Sequence, residues 1–329
     1  MLDVLLSIPL ISYFLFPSTG ASLSTSVNLF FFYVTWTSLA FSHNPLEIHL
    51  SGLLVLRVVF WLAPALIFLL FDIALPSLSV GFKHGGRSAM PPRAFRKLAG
   101  MLGRALLNVL FLLAVEAAIS MAYAAAFKRY IFRMSTALPF PWIILKHCLV
   151  ILASREVLRY YLHRRVLHGD LPLAREHARY AHDRPSAPYS LQVFTDHPLA
   201  LLVYRFVPIF LPAALIRTHI LIYFLVVILT TVEDTLTMSG YTFIPGILMS
   251  GITQRTAIHY AGGGSSNYSG LGVMDWVHGT SKGREVLMEV KNSADKHDVQ
   301  ERAAKRVGKG SDIVKDGIDS LKKRARAGN

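Results

Sequence analysis

Long apolar runs separated by short basic segments organise most of the chain. The stretches Val27–Phe41, Leu53–Leu75, Leu102–Ala126, Pro139–Ala153 and Leu199–Leu229 carry few charges, and about 20 such residues make a helix that crosses a bilayer. The first and fourth are short for a span, and the last is long enough for two, joined where Arg217, Thr218 and His219 interrupt it. The pattern predicts an all-α integral membrane protein, a multi-span helical bundle of about five to seven membrane helices. A further apolar stretch, Val4–Phe16, follows Asp3 rather than a basic residue, and no small-residue cleavage motif comes after it. It reads as an anchor or interfacial helix rather than a removed signal peptide. Glycine and proline in GFKHGGRSAMPPRAFR, residues 81–96, predict a loop.

Composition agrees with a membrane protein. Of 329 residues, 53% are hydrophobic and 16% charged, against about 25% charged in a soluble domain. The formal net charge of +14 is unevenly placed: six Lys/Arg and no acid in Lys83–Arg104, a basic stretch at Arg155–Arg184, and thirteen Lys/Arg against eight Asp/Glu from Lys282 onward. These groups flank apolar runs, so anionic lipid headgroups rather than nucleic acid are the partner they imply. The positive-inside tendency puts all three segments in the cytosol, with Lys128, Arg129 and Arg133 as a weaker opposing signal. The single cysteine, Cys148, excludes an intramolecular disulfide framework and a cysteine-based zinc site; with His147 it reads as a buried structural pair. Three regions follow: membrane helices with a basic 81–104 loop over residues 1–135, a histidine-bearing region over 136–281, and a charged tail over 282–329. Asp312, Ile313, Ile318 and Leu321 ahead of KKRARAGN suit either an amphipathic helix on the membrane surface or a solvated tail.

Chemistry enters with two histidine pairs of one spacing, His163 and His168 in LHRRVLHG, then His177 and His182 in EHARYAHD. Imidazole is the commonest protein ligand for iron, zinc and copper. Residues five apart on an ideal helix point about 140° from each other, so a local π-turn or a second helix is needed to bring each pair together. His197 in FTDHPLA and His259 in AIHY extend the set to six candidate ligands. Asp183, Asp196, Glu233 and Asp234 stand beside them as candidate carboxylates, each better explained as a surface group or one that orients an imidazole. Gly262–Gly263–Gly264 lacks the Lys–Ser/Thr of a phosphate loop and reads as a flexible turn.

The run YYLHRRVLHGDLPLAREHARYAHDRPSAP resembles the first two histidine boxes of the fatty acid hydroxylase and sterol desaturase superfamily. The region VEDTLTMSGYTFIP, followed by NYSGLGVMDWVHGT, is similar to that superfamily's closing region. The resemblance spans about residues 158–280. It implies a helical membrane bundle with a cytosolic, histidine-bearing cap in the endoplasmic reticulum, with the C-terminus also cytosolic. It implies iron, as a di-iron pair, with a single metal or zinc as alternatives. It further implies oxygen-dependent hydroxylation or desaturation of a sterol, fatty acyl or related hydrophobic substrate, with electrons supplied through cytochrome b5 or a reductase. Carried over position by position, His163, His168, His177, His182, His197 and His259 keep family histidines, whereas Ala181, Met238, Thr256 and Tyr260 replace them. Glu233 matches an acidic residue upstream of SGY, a group that would orient a ligand rather than bind metal. Asn267, Tyr268, Asp275 and Trp276 fold the closing segment over the cap on this reading, and His278 is a packing substitution. Two functions stay open: a metal-dependent lipid oxidoreductase, and a non-catalytic relative that serves as a lipid-binding or scaffold membrane protein with one metal or none.

Overall fold

The structure is a computed structural model that describes residues 21–183, 186–242 and 247–283. The stretch Val4–Phe16 and the amphipathic reading of residues 312–321 fall outside it. Ten α-helices, two short 3-10 helices (Gly86–Ala89 and Ser190–Phe194) and no strand occur among the described residues; the α-helices are α1 Ala21–Ser42, α2 Pro45–Ala74, α3 Pro76–Phe82, α4 Phe95–Phe127, α5 Pro141–Tyr161, α6 Pro172–Ala181, α7 Pro198–Leu215, α8 Ile220–Ser239, α9 Ile247–Ala261 and α10 Val273–Val277. Four of these, α2, α4, α7 and α8, are long and apolar enough to cross a membrane, and Val27–Ser42 of α1 is a shorter apolar helix. This is an integral membrane protein. The apolar 139–153 run belongs to α5, whose C-terminal half carries Arg155, Glu156 and Arg159 and does not match the other four in apolarity.

Local sequence explains the helix boundaries. Asn44 opens α2 with a capping box, its side chain accepting from the Leu46 N–H while Glu47 reaches back to the Asn44 N–H, and Pro45 occupies the first turn. Inside α2, Pro64 has no N–H to donate, and a π-turn at Val58–Leu62 precedes it. The Phe60 carbonyl there accepts from the Thr235 hydroxyl at 3.3 Å, which ties α2 to α8. The predicted interruption of the 199–229 run is a turn with Arg217 at φ +47°, after which His219 caps α8 by accepting from the Leu221 N–H. His147 meets the Thr218 hydroxyl at 2.9 Å beside the same turn.

Outward faces of α2 and α4 are apolar, with Val55, Val59, Ile67, Leu70, Leu107 and Leu110 all exposed, as lipid-facing helices require. At the centre α8 packs against α2, α5, α7 and α9. Some polar groups between the spans satisfy one another: His49 lies 2.8 Å from Glu116, which also accepts from the Tyr223 hydroxyl at 2.8 Å. Asn108 of α4 donates to the carbonyls of Phe194 (2.7 Å) and Asp196 (2.8 Å), fixing the loop that precedes α7. Lys83 is no surface charge of the basic loop. It is buried and paired at 2.6 Å with Asp72, which also accepts from Tyr241 of the SGY segment at 2.5 Å.

Candidate metal centre

Two different backbone devices gather the equally spaced histidine pairs. The C-terminus of α5 continues as a π-turn, Leu162–Leu167, in which the His168 N–H donates to the His163 carbonyl at 3.1 Å. The wider turn brings residues five apart into register, and the ring centroids of His163 and His168 lie 4.9 Å apart. Only glycine can follow, because a Cβ at Gly169 would meet the Arg165 carbonyl oxygen at 2.2 Å. The second pair uses a helix end. His177 faces inward from α6, the helix stops at Ala181, and His182 leaves it, placing the two rings 5.0 Å apart. His168 (φ −122°, ψ 20°) and His182 (φ −123°, ψ 28°) adopt nearly the same backbone conformation, so each pair ends in the same kind of turn.

His259, near the C-terminus of α9, completes the cluster. Its ring lies 4.7 Å from that of His163, 5.1 Å from His168 and 4.9 Å from His182. One nitrogen from each of His163, His168, His177 and His259 can be chosen so that all four lie within 4.8 Å of one another. Outward nitrogens are tied down. His163 Nδ1 donates to the Tyr268 carbonyl (2.8 Å), His259 Nδ1 to the Ser266 carbonyl (2.7 Å), and His177 Nδ1 to Asp196 Oδ2 (2.6 Å). The Asp196 main chain is itself held by Asn108, and its other carboxylate oxygen accepts from the His197 N–H at 2.6 Å. Inward nitrogens lack hydrogen-bond partners: His177 Nε2, His259 Nε2 and both ring nitrogens of His182 are buried without one. His163 Nε2 and His168 Nε2 face each other at 3.2 Å. Two ligands on one tetrahedral ion at about 2.0–2.1 Å sit about 3.3 Å apart, so this spacing suits shared coordination. Orphaned inward donors backed by oriented outer nitrogens form the arrangement a metal ion satisfies, and the residues present fit such an ion.

Electrostatics favours ligation as well. Burial, reinforced by the neighbouring imidazoles, lowers the pKa of His168 to about 2, and burial lowers that of His259 to about 4. The same causes hold His163 and His182 well below the ordinary histidine value. Neutral imidazole is the ligating form.

The other predicted positions lie elsewhere. His197 is half-buried at the start of α7, where its Nδ1 accepts from the Leu199 N–H and its ring meets Tyr180; it makes no ring contact with the five clustered histidines. Glu233 is gripped by Arg155 through two hydrogen bonds of 2.8 and 3.1 Å. Asp234 is paired with Arg155, Arg159 and Arg205, and Asp183 is exposed. The closing segment is organised by Asp275, which accepts from the backbone N–H groups of Tyr268 (2.9 Å) and Ser269 (2.8 Å) and so sets the carbonyl that His163 uses. Trp276, expected to cover the cap, is instead 78% exposed. His278 stacks on Tyr160 at 4.9 Å.

Gly264 is a site residue that the glycine run concealed. At φ +80° it brings its backbone against His168, and a Cβ there would meet the imidazole at 2.0 Å. The signal was the run itself, whose positive φ at Gly263 and Gly264 turns the chain from His259 back to Ser266.

Beside the histidines lies a cavity of about 20 Å³ whose lining includes His163 and His259 together with Arg159, Tyr204, Arg205, Met238, Thr256 and Tyr260. No solved structure matches the chain. A family model described as Fatty acid hydroxylase matches residues 148–280. All five clustered histidines fall within that segment, and the matching family is the one that the histidine pairs resemble.

Proposed function

We propose that this protein is a metal-dependent membrane oxidoreductase that hydroxylates or desaturates a lipid, whether sterol, fatty acyl chain or related hydrophobic molecule, with molecular oxygen. The convergence of four histidine nitrogens within 4.8 Å carries the reading, and the family match supports it. Bound iron supplies oxygen activation toward an unreactive C–H bond. In the hydroxylation, one oxygen atom enters the C–H bond and the other leaves as water, at the cost of two electrons and two protons. Cytochrome b5 or a reductase is the proposed electron source.

The chain's own residues perform the rest. Tyr268, Ser266 and Asp196 hold His163, His259 and His177 in fixed tautomers and ring orientations. Glu156 of α5 accepts from the N–H groups of Leu271, Gly272 and Val273 at 3.0–3.1 Å and pins the closing segment over the cluster. That closure keeps bulk water from the reacting region. Substrate arrives laterally: an apolar groove of about 500 Å³ between α5 and α7, lined by Val157, Leu158, Leu211 and Leu215, suits an acyl or ring system in the bilayer. The basic segments support a cytosolic cap and C-terminus as part of this reading, and the endoplasmic reticulum is the proposed membrane.

Membranes containing the protein, supplied with reductant and ¹⁸O₂, are expected to yield a lipid product carrying the label, or a new double bond, that is absent with His163→Ala. Unchanged lipids in the presence of a metal-loaded chain would favour the non-catalytic alternative, which the replacements at Ala181, Met238, Thr256 and Tyr260 bring forward.

A further inference from the structure

We infer that the centre holds one transition-metal ion per chain, not the pair that the histidine boxes imply, and that its neighbouring half has become a closed cationic wall. The inference rests on the reading that the cluster binds metal, but not on lipid oxidation. Donors converge on a single point. Two ligands on one ion at about 2.1 Å can lie no more than about 4.2 Å apart, and the 4.8 Å spread of the His163, His168, His177 and His259 nitrogens comes within that limit after side-chain shifts of a few tenths of an ångström. His182 lies beside them, its ring 5.0 Å from those of His168 and His177, outside the group of four whose nitrogens lie within 4.8 Å of one another.

A second ion about 3.5–4 Å away would need its own donors, and the adjoining wall offers none of the right kind. Two of its members are the permanently charged Arg159 and Arg205, which repel a dication. Met238 presents a soft thioether and Thr256 a hydroxyl, poor replacements for imidazole on iron. Tyr260 lies with its ring 5.0 Å from that of His182, filling the side from which a further imidazole would come. Nearby carboxylates are already committed: Glu233 to Arg155, and Asp234 to Arg155, Arg159 and Arg205. The cavity of about 20 Å³ accommodates roughly one water molecule, not an ion with its remaining ligands.

Metal counting tests this directly. The full chain is purified in detergent, loaded anaerobically with Fe(II) or Zn(II), freed of excess by gel filtration, and assayed for metal and protein by mass spectrometry and amino-acid analysis. About one ion per chain is expected for either metal, falling severalfold in His259→Ala. Restoring imidazoles in the combined variant Ala181→His, Met238→His, Thr256→His and Tyr260→His is expected to raise the count toward two. Should that variant not fold, the wild-type count alone decides. Two ions per wild-type chain would overturn the inference while leaving lipid oxidation intact, and no bound ion would overturn it too. One ion without oxygen-dependent product would uphold it and remove the lipid-oxidation reading.

Discussion

The histidine cluster and the arginine–carboxylate cluster beside it form two polar walls that differ in chemistry although they share one scaffold. On one side, imidazoles turn ring nitrogens inward and anchor their outer nitrogens to carbonyls and a carboxylate. On the other, guanidinium groups from α5 and α7 lock onto the acidic pair of α8. Both walls bury polar groups: the first leaves imidazole nitrogens without partners, and the second sets three guanidinium groups against two carboxylates. A wall built to receive a cation and a wall that already owns several respond differently to substitution, and that difference can be probed.

The largest effect is expected from His163→Ala or His177→Ala, which should abolish stable metal binding in purified protein while Arg159→Lys leaves the metal content in place. Next comes Asp234→Ala. Leaving Arg205 and Arg159 buried without their partner should cost about 3–5 kcal/mol of stability, read as lower thermal stability in detergent, with the histidine wall still able to load metal. Asp196→Asn should weaken metal affinity by about 10–100-fold, because it loosens the orientation of His177 without removing a ligand; competition with a chelator measures this.

Acid sharpens the comparison. The unfolded chain protonates its histidines near pH 6.5, whereas folded His168 and His259 resist protonation down to about pH 2 and 4. Unfolded chains therefore bind more protons over that window, and the stability of metal-free protein should fall as pH drops below about 6.5. Melting temperatures lower by several degrees at pH 5 than at pH 7.5 are expected, and a flat profile would show that the histidine wall is not neutral. The smallest effect belongs to His197→Ala. Losing a helix cap should cost about 1 kcal/mol and leave metal content unchanged, as measured by melting and metal analysis.

Much of this was legible in the residues, and the exceptions have physical causes. Apolar length located four candidate spans and the break at Arg217–His219, fewer than the about five to seven that the pattern predicts: among the described residues α1 is too short and α5 too charged to join them. Histidine spacing marked four of the five clustered rings, and the π-turn at His163–His168 is one of the two devices that helix geometry left open. His197 could not be separated from its neighbours, since a histidine before proline is the same letter whether it caps a helix or meets a metal. The acceptors for His163 and His259 are backbone carbonyls of Tyr268 and Ser266, and any residue supplies a carbonyl. Lys83 looked like part of a basic surface, and only the fold brings Asp72 beneath it. The replacements Met238, Thr256 and Tyr260 were visible one by one, but their assembly with Arg159 and Arg205 into a single wall depends on α5, α7, α8 and α9 meeting there.

X-ray absorption of the zinc-loaded chain bears most directly on the contrast between the two walls. The expected spectrum shows four or five imidazole nitrogens at about 2.0–2.1 Å and no metal–metal scattering. A metal–metal vector at about 3.5–4 Å, or a shell dominated by oxygen, would contradict a single ion held by the histidine wall.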